Sequence, residues 1–346
     1  MTAPAAAPTA PVRTPSGVTI RPFDEQSEAD YESLVAIGNA IQPDSPRTPA
    51  EVSDWDKRRD PREKHARFLA EMDGAVVGEG GYGQSPWNYH PRRFWVGMGV
   101  KPEFQGRGIG AALYDTILEA VCVHDPLRVT SGTRADRDRA LRFLGERGFV
   151  EEMREWESRL DVPAFDFTPY EAERAEQRVS DAGITLTTFG RLADDPDRDR
   201  KIHALENRLG ADVPSTDPHV DVSFEQWEKM LLGSPNFLPD GYQVAVHEAT
   251  GEYVGLSMLF KRQADRDLDT GLTGVSRDWR RKGVALALKL RAIRFAKEYN
   301  APCIRTENEI NNRGMLGINE RLGFVKQPAW IVLVKRIAEE AESANA

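Results

Sequence analysis

Phe94-Trp95-Val96-Gly97-Met98-Gly99-Val100, then Lys101-Pro102-Glu103-Phe104, then Gln105-Gly106-Arg107-Gly108-Ile109-Gly110-Ala111: residues 94–111 decide the reading of this chain. Trp95 to Val100 has the composition of a strand, and Pro102 stops it by withholding a ladder donor. Ala111 to Val123 has the periodicity of an amphipathic helix. A glycine-rich segment therefore joins a strand to a helix N-terminus. There the backbone can approach a ligand closely, several N–H groups have no partner, and the helix dipole adds partial positive charge. Phosphate fits such a loop. A Walker loop would end in Gly-Lys-Ser/Thr, which is absent. Gly106 to Ala111 matches G-x-G-x-x-A of the dinucleotide fold, but about 90 residues and a hairpin precede it, where that fold would have its first strand. A tight turn packed under a helix, without a ligand, would use the same glycines.

The stretch occurs twice. Val100, Gly108 and Gly148-Phe149 recur as Val275, Gly283 and Gly323-Phe324, all at an offset of 175. Val76-Val77-Gly78 recurs as Tyr253-Val254-Gly255, and Val18 to Phe23 resembles Ile184 to Phe189. So long a period indicates two copies of one domain. The second loop follows the strand end Leu272-Thr273-Gly274-Val275. It reads Arg280-Arg281-Lys282-Gly283-Val284-Ala285 and leads into a helix from Leu286 to Tyr299. Each copy shows a strand, a helix (29–40 or 198–209), a Pro-rich loop (42–49 or 212–218) and a helix carrying Trp55 or Trp227. A hairpin turning at Asp73-Gly74 or Thr250-Gly251 comes next. Strand, glycine loop, long helix, strand, helix and a last strand complete the copy. The pattern predicts an α+β fold with a mixed sheet. The expected organisation is a disordered tail (1–16), a first domain (17–162), a helical linker (163–182), a second domain (183–336) and a frayed end (337–346).

Composition agrees with two globular domains: 346 residues, 40% hydrophobic and 29% charged. The formal charge of −9 disfavours a phosphate-backbone binder, so no nucleic-acid partner is expected. No apolar run reaches the ~20 residues of a membrane helix. Met1 to Ser16 lacks the apolar stretch of a signal peptide, which points to the cytoplasm. Cys122 and Cys303, in apolar surroundings, read as buried free thiols. The six histidines lack metal-ligand spacing, so no metal is expected.

Together these residues resemble the GNAT superfamily of acyl-CoA-dependent N-acetyltransferases. Its signature, Gln/Arg-x-x-Gly-x-Gly/Ala between a strand and a long helix, fits Gln105 to Gly110 and Arg280 to Ala285. The tandem arrangement is similar to that of mycothiol-synthase-type enzymes. The resemblance implies, in each copy, a twisted, mostly antiparallel sheet with a splayed strand pair and flanking helices. It also implies acetyl-CoA as co-substrate. The amides of Gln105, Gly106, Arg107, Gly108, Ile109, Gly110 and Ala111 would hold the coenzyme pyrophosphate, as would those of Arg280, Arg281, Lys282, Gly283, Val284 and Ala285. The backbone at Met98, Gly99 and Val100, or at Thr273, Gly274 and Val275, would pair with the pantetheine arm. Asn312 stands where the family commonly bonds the coenzyme, and copy one has Arg137 there. The family's usual tyrosine acid is replaced by Asn319 in copy two and Leu144 in copy one.

The implied chemistry is direct attack of a primary amine on the thioester, which needs a base and an oxyanion donor. Asp269 and Asn308 are the candidate catalytic residues, in copy two. Glu307, next to Asn308, falls on the opposite face by alternation, and Asn308 is favoured to face the cleft. Glu79 reads as solvated. Trp55, Trp87 and Trp95 could line a pocket, with a core or packing role favoured. The loops 42–49 and 212–219 are expected to shape the acceptor site of a monomer or homodimer. Two rivals stand beside the enzyme: a non-catalytic acyl-CoA-binding tandem and, on the short glycine pattern alone, a nucleotide-binding oxidoreductase.

Overall fold

A computed structural model describes residues 14–338. Most of the expected N-terminal tail and all but two residues of the expected C-terminal one lie outside them. Copy one runs β1 (Val18–Pro22), α1 (Glu28–Ile41), α2 (Pro49–Lys57), β2 (Ala66–Met72), β3 (Ala75–Gly83), β4 (Arg93–Val100), α3 (Ile109–Cys122), β5 (Arg128–Arg134), α4 (Asp138–Gly145) and β6 (Val150–Asp161). The connector holds two short helices, α5 (Thr168–Ala172) and α6 (Ala175–Asp181), separated at Arg174, whose φ is 54°. Copy two repeats the order with β7 (Ile184–Thr188), α7 (Arg198–Gly210), α8 (Phe224–Leu231), β8 (Phe237–His247), β9 (Glu252–Lys261), β10 (Leu268–Val275), α9 (Val284–Glu298), β11 (Cys303–Glu309), α10 (Arg313–Arg321), β12 (Val325–Lys326) and β13 (Trp330–Arg336). Caps set the helix starts: the hydroxyls of Ser27, Thr48 and Ser223 accept from the backbone N–H three residues on.

The thirteen strands form one sheet, ordered β1-β2-β3-β4-β5-β13-β6-β11-β10-β9-β8-β7, with β12 beside β6. The last strands are exchanged between copies. β13 of copy two lies against β5 of copy one, from Trp330 opposite Arg134 to Arg336 opposite Arg128. β6 of copy one lies against β11 of copy two, from Cys303 opposite Asp161 to Glu309 opposite Glu155. All neighbours are antiparallel except β4–β5 and β10–β11.

The exchange carries apolar side chains with it. Ile331 and Leu333 of β13 are buried with Phe94, Tyr114, Ile117 and Phe149 of copy one. Leu160 of β6 is buried with Leu268, Ile293 and Ile304 of copy two. Each such aliphatic burial is worth about 1.5–3 kcal/mol. Helices α3, α4, α9 and α10 cover one face of the sheet, and α1, α2, α7 and α8 the other. Gly80 permits the close seat of α3, since a Cβ there would lie 2.8 Å from Ile117 Cδ1.

The thiols are free, but they are not both buried. Cys122 is exposed, because it ends α3 on the solvent side, and Cys303 is partly covered, where burial pushes its thiol up to about 11.

Candidate coenzyme and acceptor site

In both copies the parallel strand pair comes apart. β4 pairs with β5 only from Arg93 to Trp95, and β10 pairs with β11 only at Leu268 and Asp269. Beyond those residues the facing edges, including Met98 to Val100 and Thr273 to Val275, have no ladder partner. Each V-shaped opening leads to a glycine loop and a helix N-terminus. Gly108 and Gly283 cap α3 and α9 at φ 82° and 85°, left-handed values that suit glycine, and no side chain caps either helix. The first bonded amides of the two helices are those of Ala112 and Ala287. The amides of residues 106–111 and 281–286 therefore donate to nothing among the described residues, as an anion site requires.

The side chains of the loops play a different part from their amides. Gln105 Nε2 and Arg280 Nε both donate back to the strand end, to Val100 O and Val275 O, each at 3.0 Å. They hold the strand-to-loop turn. Arg280 is also ion-paired with Asp212. Arg107 lies over Phe104 and Lys282 over Trp279. Where copy one has Gly106 at φ 82°, copy two has Arg281 at φ 61°. One further cation borders the copy-one loop: Arg139 of α4 donates to Gln105 Oε1 at 3.2 Å. Asn312 serves as the N-cap of α10, accepting from Met315 N at 3.3 Å. Its copy-one counterpart Arg137 donates to Ile41 O at 3.0 Å.

Asp269 and Asn308 are not brought together; they sit on opposite faces of the sheet. Asp269 lies on the α7 face, where its Oδ2 accepts from Arg262 Nη1 at 3.0 Å. Asn308 lies on the α10 face, where its Oδ1 accepts from Asn319 Nδ2 at 2.6 Å. The residue that shares a face with Asp269 is Glu307, set aside from sequence. It stands on β11 two residues past the last pair, across the opening from Gly271. There β10 carries a bulge: the register with β9 shifts between Thr270 and Thr273. Glu307 reaches solvent, yet desolvation by the surrounding chain, then the charges of Glu155, Glu157 and Asp269, push its carboxyl up to about 7. In the β6–β11 register Glu157 is directly opposite Glu307 and Glu155 opposite Glu309.

Copy one differs at every one of these places. Position for position, Trp95 replaces Asp269 and Gly132 replaces Glu307, and the Trp95 ring approaches Gly132, 3.8 Å from where its Cβ would be. Glu79 of β3 is not solvated. It is half-buried beside Gly99 and beneath Ile37 and Ile41 of α1, and burial pushes it up to about 7. On this face copy one carries Glu79, Gly81, Gly83 and Gly97 where copy two carries Leu256, Met258, Phe260 and Leu272. Those four side chains join Ile202, Leu205 and Trp227 in the core under α7 and α8. Accordingly Trp227 is 5% exposed, whereas Trp55 is 46% exposed, and Trp87 and Trp95 are also open. The tryptophans of copy one are not core residues: they stay open to solvent, with Trp55 and Trp87 packed on each other, ring centroids 6.3 Å apart.

The Pro-rich loops cross between copies. Asp217 of copy two pairs with Arg93 and Arg128 at 2.6 and 2.5 Å. Asp44 of copy one pairs with Arg134 and Arg159 at 2.8 and 3.0 Å, and its carbonyl accepts from Arg305 at 2.8 Å. Arg262, the partner of Asp269, also donates to Pro46 O at 2.7 Å. The α7 face of the copy-two opening is therefore walled by a loop of copy one, with Arg47 close enough to act on the charge of Glu307. No group of three or more potential metal ligands occurs among the described residues, and no described helix is long and apolar enough to cross a membrane.

Residues 31–149 and 202–324 each match the acetyltransferase (GNAT) family. No curated protein matches the chain in sequence. Among solved structures, it is similar to a GCN5-related N-acetyltransferase from Sphaerobacter thermophilus, with 21% identity over 95% of this chain and 99% of that one, TM-score 0.69. It is also similar to a tandem GNAT protein from the clavulanic acid biosynthesis pathway, with 20% identity over 94% and 100%, TM-score 0.73. Saccharomyces cerevisiae N-myristoyltransferase with bound myristoyl-CoA shares the fold at 11% identity over 94% and 80%, TM-score 0.60. With open strand pairs, uncapped glycine-led helices and two family matches that span most of its length, the chain belongs to the GNAT acetyltransferase family and carries the domain twice.

Proposed function

We propose that the protein transfers an acetyl group from acetyl-CoA to a primary amine, of a small molecule or a protein N-terminus, by direct attack in copy two. The observation that carries this reading is Glu307, a carboxyl held near 7 at the mouth of the β10–β11 opening. A base of that pKa is partly ionised at neutral pH and can take the proton of the attacking amine, directly or through water. The nitrogen–carbon bond forms, the carbon–sulfur bond breaks, the proton goes to Glu307, and the electron pair stays on sulfur. The bulge at Gly271-Leu272 leaves a backbone N–H off the β9 ladder, available to the developing oxyanion. Asp269 keeps Arg262, and through it the copy-one loop, in place. The same reading puts the protein in the cytoplasm, with its coenzyme.

Thiol release measured across a panel of amines, for the native protein and Glu307→Gln, tests the proposal. Loss of turnover with coenzyme affinity retained is the expected result. A Glu307→Gln protein with native rates removes it.

A second reading puts chemistry in copy one with Glu79 as base, and its burial beside Gly99 on the edge of the copy-one opening favours it. Against it, Gly132 stands where copy two has Glu307, and the Trp95 ring approaches it, which suits a copy that binds acetyl-CoA without turnover. Glu79→Gln separates the two: it leaves turnover intact if copy two is the catalyst.

A further inference from the structure

The coenzyme side of the copy-two opening holds polar atoms that the fold alone does not explain. Asn319 of α10 is 1% exposed, and its Oδ1 has no hydrogen-bond partner. Thr270 Oγ1, on β10 one residue past the last β11 pair, is likewise buried without a partner. Asn308 is on the same face of the sheet, on β11 three residues past its last pair with β10. Its Oδ1 is taken up by Asn319 Nδ2, which fixes the plane of the Asn308 amide and leaves its Nδ2 free, with no acceptor among the described residues. Copy one has none of this. The corresponding residues are Val96, Thr133 and Leu144, and Leu144 is buried in an apolar cluster.

Burying a polar group without a partner is destabilising. Thr270 Oγ1, a hydroxyl that can donate, and Asn308 Nδ2, locked in one orientation on the facing strand, mark the place of a ligand atom that accepts; Asn319 Oδ1 can only accept and plays no part in that contact. Resting on the assignment of chemistry to copy two, we propose that Asn319 is a positioning residue. It holds the Asn308 amide so that Nδ2 donates to the coenzyme sulfur as the carbon–sulfur bond breaks. The hydrogen bond stabilises the departing thiolate without giving up a proton. The amine's proton goes to Glu307, and the thiolate leaves as the anion or is protonated by water. An oriented amide thus stands in for a proton-donating side chain.

The test reads the bound product. In the protein–coenzyme A complex, the thiol is titrated by the ultraviolet absorbance of its thiolate. The copy-two signal is isolated by subtracting that of Gly283→Asp, whose second loop cannot hold the coenzyme. In the native protein the bound thiol should titrate about one unit or more below free coenzyme A, because a donor favours the charged form. Asn319→Asp offers only acceptors, so Asn308 turns its Nδ2 away and presents Oδ1 to the sulfur. Its bound thiol should titrate at or above the free value. kcat should fall roughly 100-fold or more, as on losing one preorganised donor, with acetyl-CoA affinity little changed. Asn308→Ala should behave alike. Should the buried carboxylate of Asn319→Asp unfold the protein, Asn319→Leu, which installs the copy-one residue, answers the same question. A folded Asn319 variant with the native thiolate titration overturns the proposal, even if its stability is reduced. Glu307→Gln keeps the two claims apart: it should abolish turnover and leave the thiolate titration unchanged. Turnover retained in that variant would remove Glu307 as base without touching the Asn319 result.

Discussion

Leu333→Ala, a change thirteen residues from the C-terminus, should injure copy one. Leu333 is 5% exposed and is packed with Phe94, Tyr114, Ile117 and Phe149, all of copy one. Truncating a buried leucine costs about 2–5 kcal/mol, because the lost burial is compounded by the cavity left behind. The size of the melting shift then tells how the chain unfolds. At about 2.1 cal/mol/K per residue, a unit of roughly 300 residues has an unfolding entropy of about 0.6 kcal/mol/K, so a loss of ~3 kcal/mol lowers its midpoint by about 5 °C. A copy of roughly 150 residues melting alone would shift by about 10 °C and leave a second transition in place. Strand exchange predicts the first outcome: one calorimetric transition, lowered by about 5 °C. The reciprocal change is Leu160→Ala in copy one, whose side chain is buried with Leu268, Ile293 and Ile304 of copy two. It should lower the same transition and weaken coenzyme binding at the copy-two loop. Two transitions, with Leu333→Ala moving the one that reports copy two, would refute the exchanged arrangement.

Further outcomes follow from the two loops and the raised carboxyls. Gly283→Asp should abolish coenzyme binding at copy two and with it turnover, since it adds a negative charge and a Cβ at φ 85° where a phosphate would lie; calorimetric titration with acetyl-CoA checks it. Gly108→Asp should remove only the copy-one site and leave turnover in place. Glu307, with its pKa raised to about 7, is protonated and inactive as a base below that value. kcat/KM should therefore rise with pH through about 7, and a Glu307→Gln protein should show no such limb. Glu79 is raised from 4.5 to about 7 in the fold, so its contribution to stability is present below pH 4.5 and is lost as pH rises through 7. Glu79→Gln should erase that slope in thermal melts and be the more stable protein at pH 8, by on the order of 3 kcal/mol at most.

The repeat and both glycine loops are legible in the sequence because they rest on local rules, and the chemistry enters only through the family resemblance that those loops carry. A helix that must begin on a left-handed residue with its amides free demands glycine there, and Gly108 and Gly283 stand at the same offset as the other repeated motifs. The exchange of β6 and β13 leaves no such mark. Both strands come after a Gly-Phe turn, and nothing local states which β5-type strand each will join. The same gap misleads the choice between Glu307 and Asn308. Alternation assigns them to opposite faces, but which face meets α10 depends on packing. Glu79 reads as solvated because it sits among Gly78, Gly80 and Gly81. Gly78 and Gly80 make room for α3 on one face, and Glu79 is turned under α1 on the other. The bulge in β10 is equally silent, since Gly271-Leu272 looks like the plain strand that its copy-one counterpart is.

The exchange also makes each copy part of its neighbour. Once the last strands have crossed, the two copies share a single sheet, and each Pro-rich loop closes over its neighbour's strands. Asp44 then serves Arg134 and Arg159 in the two strands nearest the exchange and lends its carbonyl to Arg305 of β11. Arg262 ties the Pro46 carbonyl to Asp269, so the position of a copy-one loop is set by a residue at the mouth of the copy-two opening. Removing copy one would leave Arg305 and Arg262 without these partners, β11 without its neighbour β6, and Glu307 without its wall. Copy one is thus part of the copy-two site whether or not it turns over. Its own face differs, with glycines and exposed tryptophans where copy two has a packed core under the helices.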